Sequence, residues 1–441
     1  MIGNNATAGT ILGGTCLNVG CVPSKRLITV STFIEELEKR RFSGVNYGDI
    51  KFDYARIVEE KDAMVNELRS EKYENVLRSL ENVTYINGTG SFVDRNALKA
   101  GKREIKAKNI LIATGAKAAV PQVKGIDKIN YITNEEALSL KELPNSLIVV
   151  GGRAIGLEFA QLFARLGVDV TLLQRSGSII PNWEPEIRAY LTNYMKESGV
   201  KIVTNSELIE VSGNKGAKSI RARVDGKERV FDAEEILFAT GRVANIENLS
   251  LDAAGVILNE RRFIKVKKNL RTTAENIFAA GDVTGEPMLE TLAAKEGNIA
   301  TSNIFENANK EVNINEVPSA IFTYPEAAMV GLTEEQLIKN GAECSCSAVE
   351  FSIVAKSRII GDSRGVAKII IDRSNKKIVG VHLLAPHAAD LIHEGVLAVK
   401  FGLTIDDLID TVHVFPTLSE GIKLAAQSFY SDVKNLSCCT E

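Results

Sequence analysis

The clearest apolar pattern in the chain is a set of short, unbroken hydrophobic runs that stop at a small residue. Asn109-Ile-Leu-Ile-Ala-Thr-Gly115, Ile236-Leu-Phe-Ala-Thr-Gly241 and Ile277-Phe-Ala-Ala-Gly-Asp282 each read as a buried strand ending in Ala-x-Gly. At such an end a small residue lets the backbone approach a ligand or a neighbouring loop. Between the first two runs, a strand at 146–150, a helix at 154–166 and a strand at 169–174 spell a βαβ crossover of the dinucleotide-binding type. A helical stretch at 289–305 and a polar connection at 307–315 close this region. Beyond it, strands at 320–323, 367–371 and 378–384 alternate with helices at 388–401 and 418–433, the pattern of an α+β unit.

The expected fold class is therefore α/β, with two nested Rossmann-like dinucleotide-binding units and a C-terminal α+β unit. The boundaries fall at 1–142 with 243–312 for the first unit, 143–242 for the second and 313–441 for the third. A length of 441 residues accommodates about three domains. The mix of 45% hydrophobic and 25% charged residues fits a globular protein and excludes disordered and fibrous classes. A formal charge of -3 leaves no electrostatic footprint for nucleic acid, and no apolar run is long enough to span a bilayer. The first fifteen residues lack a basic stretch followed by an apolar core, so a cytoplasmic location is expected.

Six cysteines are too few for a disulfide scaffold and fall as three close pairs, Cys16/Cys21, Cys344/Cys346 and Cys438/Cys439. The first pair lies in Gly13-Gly-Thr-Cys16-Leu-Asn-Val-Gly-Cys21-Val-Pro-Ser-Lys25, followed at once by a helical pattern. That context sets two thiols at a helix N-terminus, where free N–H groups and the helix dipole favour a thiolate, and Lys25 adds positive charge one turn on. Only the thiolate attacks a disulfide or ligates a soft metal.

The second motif, Val150-Gly-Gly-Arg-Ala-Ile-Gly-Leu-Glu158, follows a strand and opens a helix, as a pyrophosphate-binding turn requires. Gly151, Gly152 and Gly156 are its expected cofactor-binding glycines, and Arg153 stands where the second glycine of G-x-G-x-x-G belongs. The next strand ends in Gln174-Arg175, without the carboxylate that would hold a ribose 2'-hydroxyl. Arg175 can take a 2'-phosphate, so NADPH is expected over NADH.

The Cys16/Cys21 motif resembles the signature of the pyridine nucleotide-disulfide oxidoreductases, and the resemblance extends over essentially the whole chain. It implies FAD and a redox disulfide of Cys16 and Cys21, with Cys21 facing the flavin and Cys16 as the interchange thiol. It also implies that Lys25 sits near the flavin, paired with Glu158, and that Asp282 accepts a hydrogen bond from the ribityl chain. Thr15, Thr114, Gly115, Ala116, Glu290 and Gly241 are the further positions it places at the cofactors. Members of the family open with a strand and a G-x-G-x-x-G loop ahead of the redox motif. With fifteen residues before Cys16, that first βα unit is expected to be absent here.

Disulfide reductases of the family carry a base in a His-x-His-Pro-Thr-x-Ser-Glu segment, and this chain reads His413-Val-Phe415-Pro-Thr-Leu-Ser-Glu420. A phenyl ring cannot carry the proton that exchange with an organic disulfide needs, which argues against lipoamide or glutathione as substrate. His413 is expected to be structural. The adjacent thiols Cys438 and Cys439 suit a soft cation that is held and passed on by ligand exchange. Here the resemblance narrows to the mercury-reducing branch of the family, implying Hg(II) as substrate, Cys16, Cys21, Cys438 and Cys439 as its ligands, and a homodimer through the third unit. Thr417 departs from the tyrosine frequent at that position in this branch. Cys344 and Cys346 match no known site and are expected to be structural or incidental. A reductase of another disulfide or soft metal, and a non-catalytic thiol protein that sequesters metal, are the competing readings.

Overall fold

The computed structural model describes residues 1–3, 12–45 and 48–433. At its centre four parallel strands run in the order Lys201–Val203, Asp169–Leu173, Ser146–Val150, Glu235–Phe238. Both faces of this sheet are covered, so its strands are apolar throughout rather than alternating. Leu147, Val149, Val170, Leu172 and Leu237 point into one core with Leu157 and Phe163 of the helix Ala154–Arg165. Ile148, Val150, Leu173, Ile236 and Phe238 point into the other. That second face is covered not by a helix but by an antiparallel meander, Ser206–Asn214, Ala217–Val224 and Lys227–Ala233, through Ile220, Ala222 and Val224.

The first expected unit contains the helices Cys21–Glu38 and Tyr54–Arg69, the parallel pair Ile110–Ile112 and Ile277–Ala279, and the helix Glu290–Phe305. A three-stranded antiparallel sheet, Gly90–Asp94, Ala97–Ala100 and Arg103–Lys106, flanks it. Helix Tyr54–Arg69 continues into a π-helical turn at Ser70–Glu74.

The C-terminal unit is a five-stranded antiparallel sheet in the order Ser319–Ile321, Glu326–Gly331, Ile378–Ala385, Val366–Asp372, Cys344–Glu350. One face buries Ala367, Ile369, Val381 and Leu383 against the helices Ala388–Phe401 and Glu420–Gln427. The other turns towards the central unit, where Ala327, Val366 and Leu384 join the core of the helix Ala154–Arg165. On that same face the fully buried Lys368 reaches across to Glu184 Oε2 at 2.7 Å and to Glu186 at 3.0 Å. The expected helix at 418–433 is shorter, ending at Gln427, because the Ser428 hydroxyl donates back to the Ala425 carbonyl while Tyr430 N–H bonds to Gln427 O in a tight turn.

Candidate active site

The two thiols come from two helices that abut at Gly20. Cys16 lies inside the short helix Gly14–Val19, and Cys21 is the first residue of Cys21–Glu38. Cys21 thus stands at the N-terminus of the long helix, and Cys16 in the first turn of the short helix before it. A Cβ at Gly20 would come within 2.8 Å of the Thr15 carbonyl oxygen and 3.1 Å of Cys16 Cα, so the junction requires glycine. The Asn134 amide donates to the Val19 carbonyl at 2.7 Å and ties this junction to the rest of the fold.

The electrostatics of the pair are asymmetric. The Cys16 S–H group bonds to Cys21 sulfur, which lowers the Cys21 thiol from the ordinary 9.0 to about 7; burial opposes this and Lys25 assists it. The same bond, together with burial, pushes Cys16 far up. Cys21 is thus the more acidic thiol of the two and Cys16 the one that keeps its proton. Lys25 Nζ lies 2.6 Å from Glu158 Oε2 and 4.6 Å from the centre of the Phe322 ring. The buried Glu158 also accepts the Phe322 N–H at 3.0 Å, so one carboxylate joins all three units.

Above the dithiol opens a cavity of about 370 Å³ lined by Thr15, Cys16, Cys21, Lys25, Gly115, Glu158, Asp282 and Glu290. Burial raises the Asp282 carboxyl, and the Arg242 guanidinium, with Nε 3.7 Å from Asp282 Oδ2, opposes the rise. Thr114, Ala116 and Gly241, expected at the cofactors, stand outside this lining. The Thr114 hydroxyl donates to the Asn245 carbonyl at 2.7 Å, Ala116 is buried with its carbonyl bonded to Arg242, and the Gly241 carbonyl accepts the Ala119 N–H.

Two residues, one lining the cavity and one outside it, escaped the sequence reading. Arg242 donates to Thr15 Oγ1 at 3.2 Å; its position directly after the Ala-Thr-Gly241 strand end was the available signal. Tyr73, in the π-helical turn, is exposed and stands outside the cavity lining, and its phenol is raised by burial and then by the Glu290 and Cys16 charges. Nothing local in the sequence marks it.

At the glycine turn, a Cβ on Gly151 would meet the Ala239 carbonyl oxygen at 2.3 Å, and one on Gly156 the Gly151 oxygen at 1.8 Å. These glycines allow the helix to start flush against the sheet. Arg153 points outward to Glu286 at 3.0 Å and leaves the turn clear. Gln174 is turned inward, its Oε1 accepting the Gly152 N–H at 2.8 Å, while Arg175 is exposed beside it.

Towards the C-terminus, Phe415 is exposed, and one oxygen of Glu420 is buried with no hydrogen-bond partner. His413 is held by Glu394 Oε1 at 2.6 Å and by the Thr411 carbonyl at 2.9 Å. Cys438 and Cys439 lie outside the described residues.

Residues 3–297 match the model of the pyridine nucleotide-disulphide oxidoreductases, and residues 317–426 match that of their dimerisation domain. The chain belongs to the pyridine nucleotide-disulphide oxidoreductase family. Within it, the chain is 39% identical to mercuric reductase from Bacillus cereus over 98% of its own length and 68% of that protein. It is 33% identical to mitochondrial dihydrolipoyl dehydrogenase 1 from Arabidopsis thaliana, over 95% of this chain and 84% of that one. Among solved structures it resembles the Cu(II) complex of the HOCl-induced flavoprotein disulfide reductase RclA from Escherichia coli, with a TM-score of 0.85 and 28% identity over 98% of this chain and 93% of that one. Family membership implies FAD and a pyridine nucleotide. The residues present fit the flavin: a thiolate and a lysine form one wall of the cavity, and Gly115 and Asp282 lie in the same lining. A Cβ built on Gly115 would meet nothing within 4 Å, so the backbone there is open to a ligand.

Proposed function

We propose that this chain is an NADPH-dependent flavoprotein that reduces Hg(II) to Hg(0) at Cys16 and Cys21. FAD, when bound, supplies the two-electron step between nicotinamide and dithiol. The protein's own residues hold the reacting sulfurs. Lys25, anchored by Glu158, favours the Cys21 thiolate, and Cys16 keeps its proton until a metal ion draws it off. Hg(II) arriving as a thiol complex exchanges its ligands for these two sulfurs and accepts two electrons, equivalent to one hydride from NADPH. Cys438 and Cys439 are proposed to deliver the ion. The exposed Phe401, Val412, Val414 and Phe415 are proposed to be covered in a homodimer through the C-terminal unit. Arg175, exposed at a strand end that offers no carboxylate, supports NADPH over NADH.

The observation that carries this reading is Phe415. It occupies the place of the base that disulfide exchange needs, and the only nearby imidazole in the motif, His413, is already committed to Glu394. Steady-state NADPH oxidation with Hg(II)–thiol complexes, set against lipoamide and glutathione disulfide, tests it. Brisk disulfide reduction without NADPH oxidation on Hg(II) sinks the proposal. The likeness to a Cu(II)-complexed flavoprotein disulfide reductase favours a second reading, reduction of another metal ion, which the same assay with Cu(II) addresses.

A further inference from the structure

The strand Cys344–Glu350 forms one edge of the C-terminal sheet, with Cys346 opposite Ile370 and Ala348 opposite Lys368. Side chains alternate along a strand, so Cys344 and Cys346 share the face that carries Lys368. Ser347 and Val349 face the other way, Ser347 meeting Ser428 and Val349 joining the core under the helix Glu420–Gln427. The two thiols are close enough to interact electrostatically. Cys346 is exposed, Cys344 half-buried, and both are free. Cys346 Sγ donates to Glu334 Oε2 at 3.5 Å, and the same oxygen accepts Lys368 Nζ at 3.1 Å.

We propose that Cys344 and Cys346 form a second soft-metal site, a two-thiolate clamp for a linear d10 cation such as Hg(II). Among the described residues no group of three or more His, Cys, Asp or Glu side chains could hold a metal, so a cation that needs four ligands, such as zinc, is not served. A cation satisfied by two sulfurs is. Residues two apart on a strand are roughly 6.7 Å apart at Cα, near the upper limit of about 6.8 Å for a disulfide. A metal ion between the sulfurs lengthens the bridge and suits that spacing better than an S–S bond does.

A thiophilic cation displaces the proton of a free thiol when it binds. Binding from a bis-thiol complex balances without an external acid: two S–Hg bonds form, two break, and the departing monothiolates take up the protons of Cys344 and Cys346. The clamp does not depend on the proposed reduction of Hg(II), since it binds without electron transfer.

The test uses the full chain carrying Cys438→Ser and Cys439→Ser, with Cys16 and Cys21 oxidised to their disulfide. It is loaded with Hg(II)–cysteine complex and freed of unbound metal. Mercury per chain is then measured by elemental mass spectrometry, and the thiolate-to-mercury charge-transfer absorbance in the ultraviolet is recorded. One Hg(II) per chain is expected, and none after adding Cys344→Ser and Cys346→Ser. Either single substitution should weaken retention against free cysteine by ~100-fold, the loss of chelation. Unchanged metal content in the double variant, or single variants that hold Hg(II) as tightly as the parent, would overturn the proposal. Flavin content and turnover of the otherwise wild-type chain carrying only Cys344→Ser and Cys346→Ser should be unaltered, because neither residue lines the dithiol cavity; a loss of flavin would instead assign the pair a structural role.

Discussion

Replacing Lys25 by methionine should move the ionisation of Cys21 upward and slow its reaction at neutral pH. The Cys16 S–H bond lowers that ionisation most, burial raises it, Lys25 lowers it and Glu158 raises it. With the thiol at about 7, half of Cys21 is thiolate at pH 7, whereas a complete return to 9.0 would leave ~1%. The upper bound on the loss is therefore about fifty-fold in thiolate. The actual loss should be smaller, because the Cys16 bond, the largest contributor, survives. Removing Lys25 alone also leaves the buried Glu158 charge without its cation. In Lys25→Met/Glu158→Gln both charges are gone, so its midpoint should lie between wild type and the single variant. The assay is iodoacetamide alkylation of the dithiol form across pH 5 to 10, with peptide mapping to separate Cys21 from Cys16. A Lys25→Met midpoint still at about 7 would refute the role of the lysine, and a double variant no lower than the single would refute that of Glu158.

Three further outcomes are expected. Phe415→His, placed in the segment that ends at the under-bonded Glu420, should raise lipoamide turnover at least tenfold, a modest share of the 10²–10⁴ typical of a positioned base; unchanged turnover would show that Phe415 is not what bars disulfides. Gly156→Ala forces a Cβ to within 1.8 Å of the Gly151 oxygen; KM for NADPH should rise and stability fall by about 1–3 kcal/mol, read by nucleotide titration and thermal melts. Glu394 raises the His413 imidazole in the folded state, so the contribution of this pair is fully present below the unfolded value of about 6.5 and is lost as pH climbs through the folded one. Glu394→Gln should accordingly destabilise the protein more at pH 6 than at pH 9, and equal effects at both would discount the pair.

What the sequence made legible was what local pattern dictates. Ile148-Val-Val150 reads as a strand buried on both faces because it is one, and Gly151 and Gly156 mark a turn whose close contacts exclude any Cβ. The meander at 206–233 went unread although Ile220, Ala222 and Val224 alternate with Arg221 and Arg223, which pair with Glu210 and Glu207 on its other face. Arg242, Tyr73 and the surroundings of Cys346 depend on segments distant in sequence meeting in space. The Lys25–Glu158 contact, 133 residues apart, entered only through resemblance to a family.

Glu158 belongs to the helix that begins at the glycine turn, yet its two oxygens are spent on a lysine beside the thiols and on the main chain of the C-terminal unit. One carboxylate is thus bonded at 2.6 Å to Lys25 and at 3.0 Å to the Phe322 N–H, so a displacement of its helix is felt at both contacts. A tilt of the helix Ala154–Arg165 should therefore change how firmly Lys25 is held, and with it how readily Cys21 ionises. The basicity of the reactive sulfur is in that sense a gauge of domain alignment, and a shift in the Cys21 alkylation midpoint on adding NADP⁺ is the reading it should give.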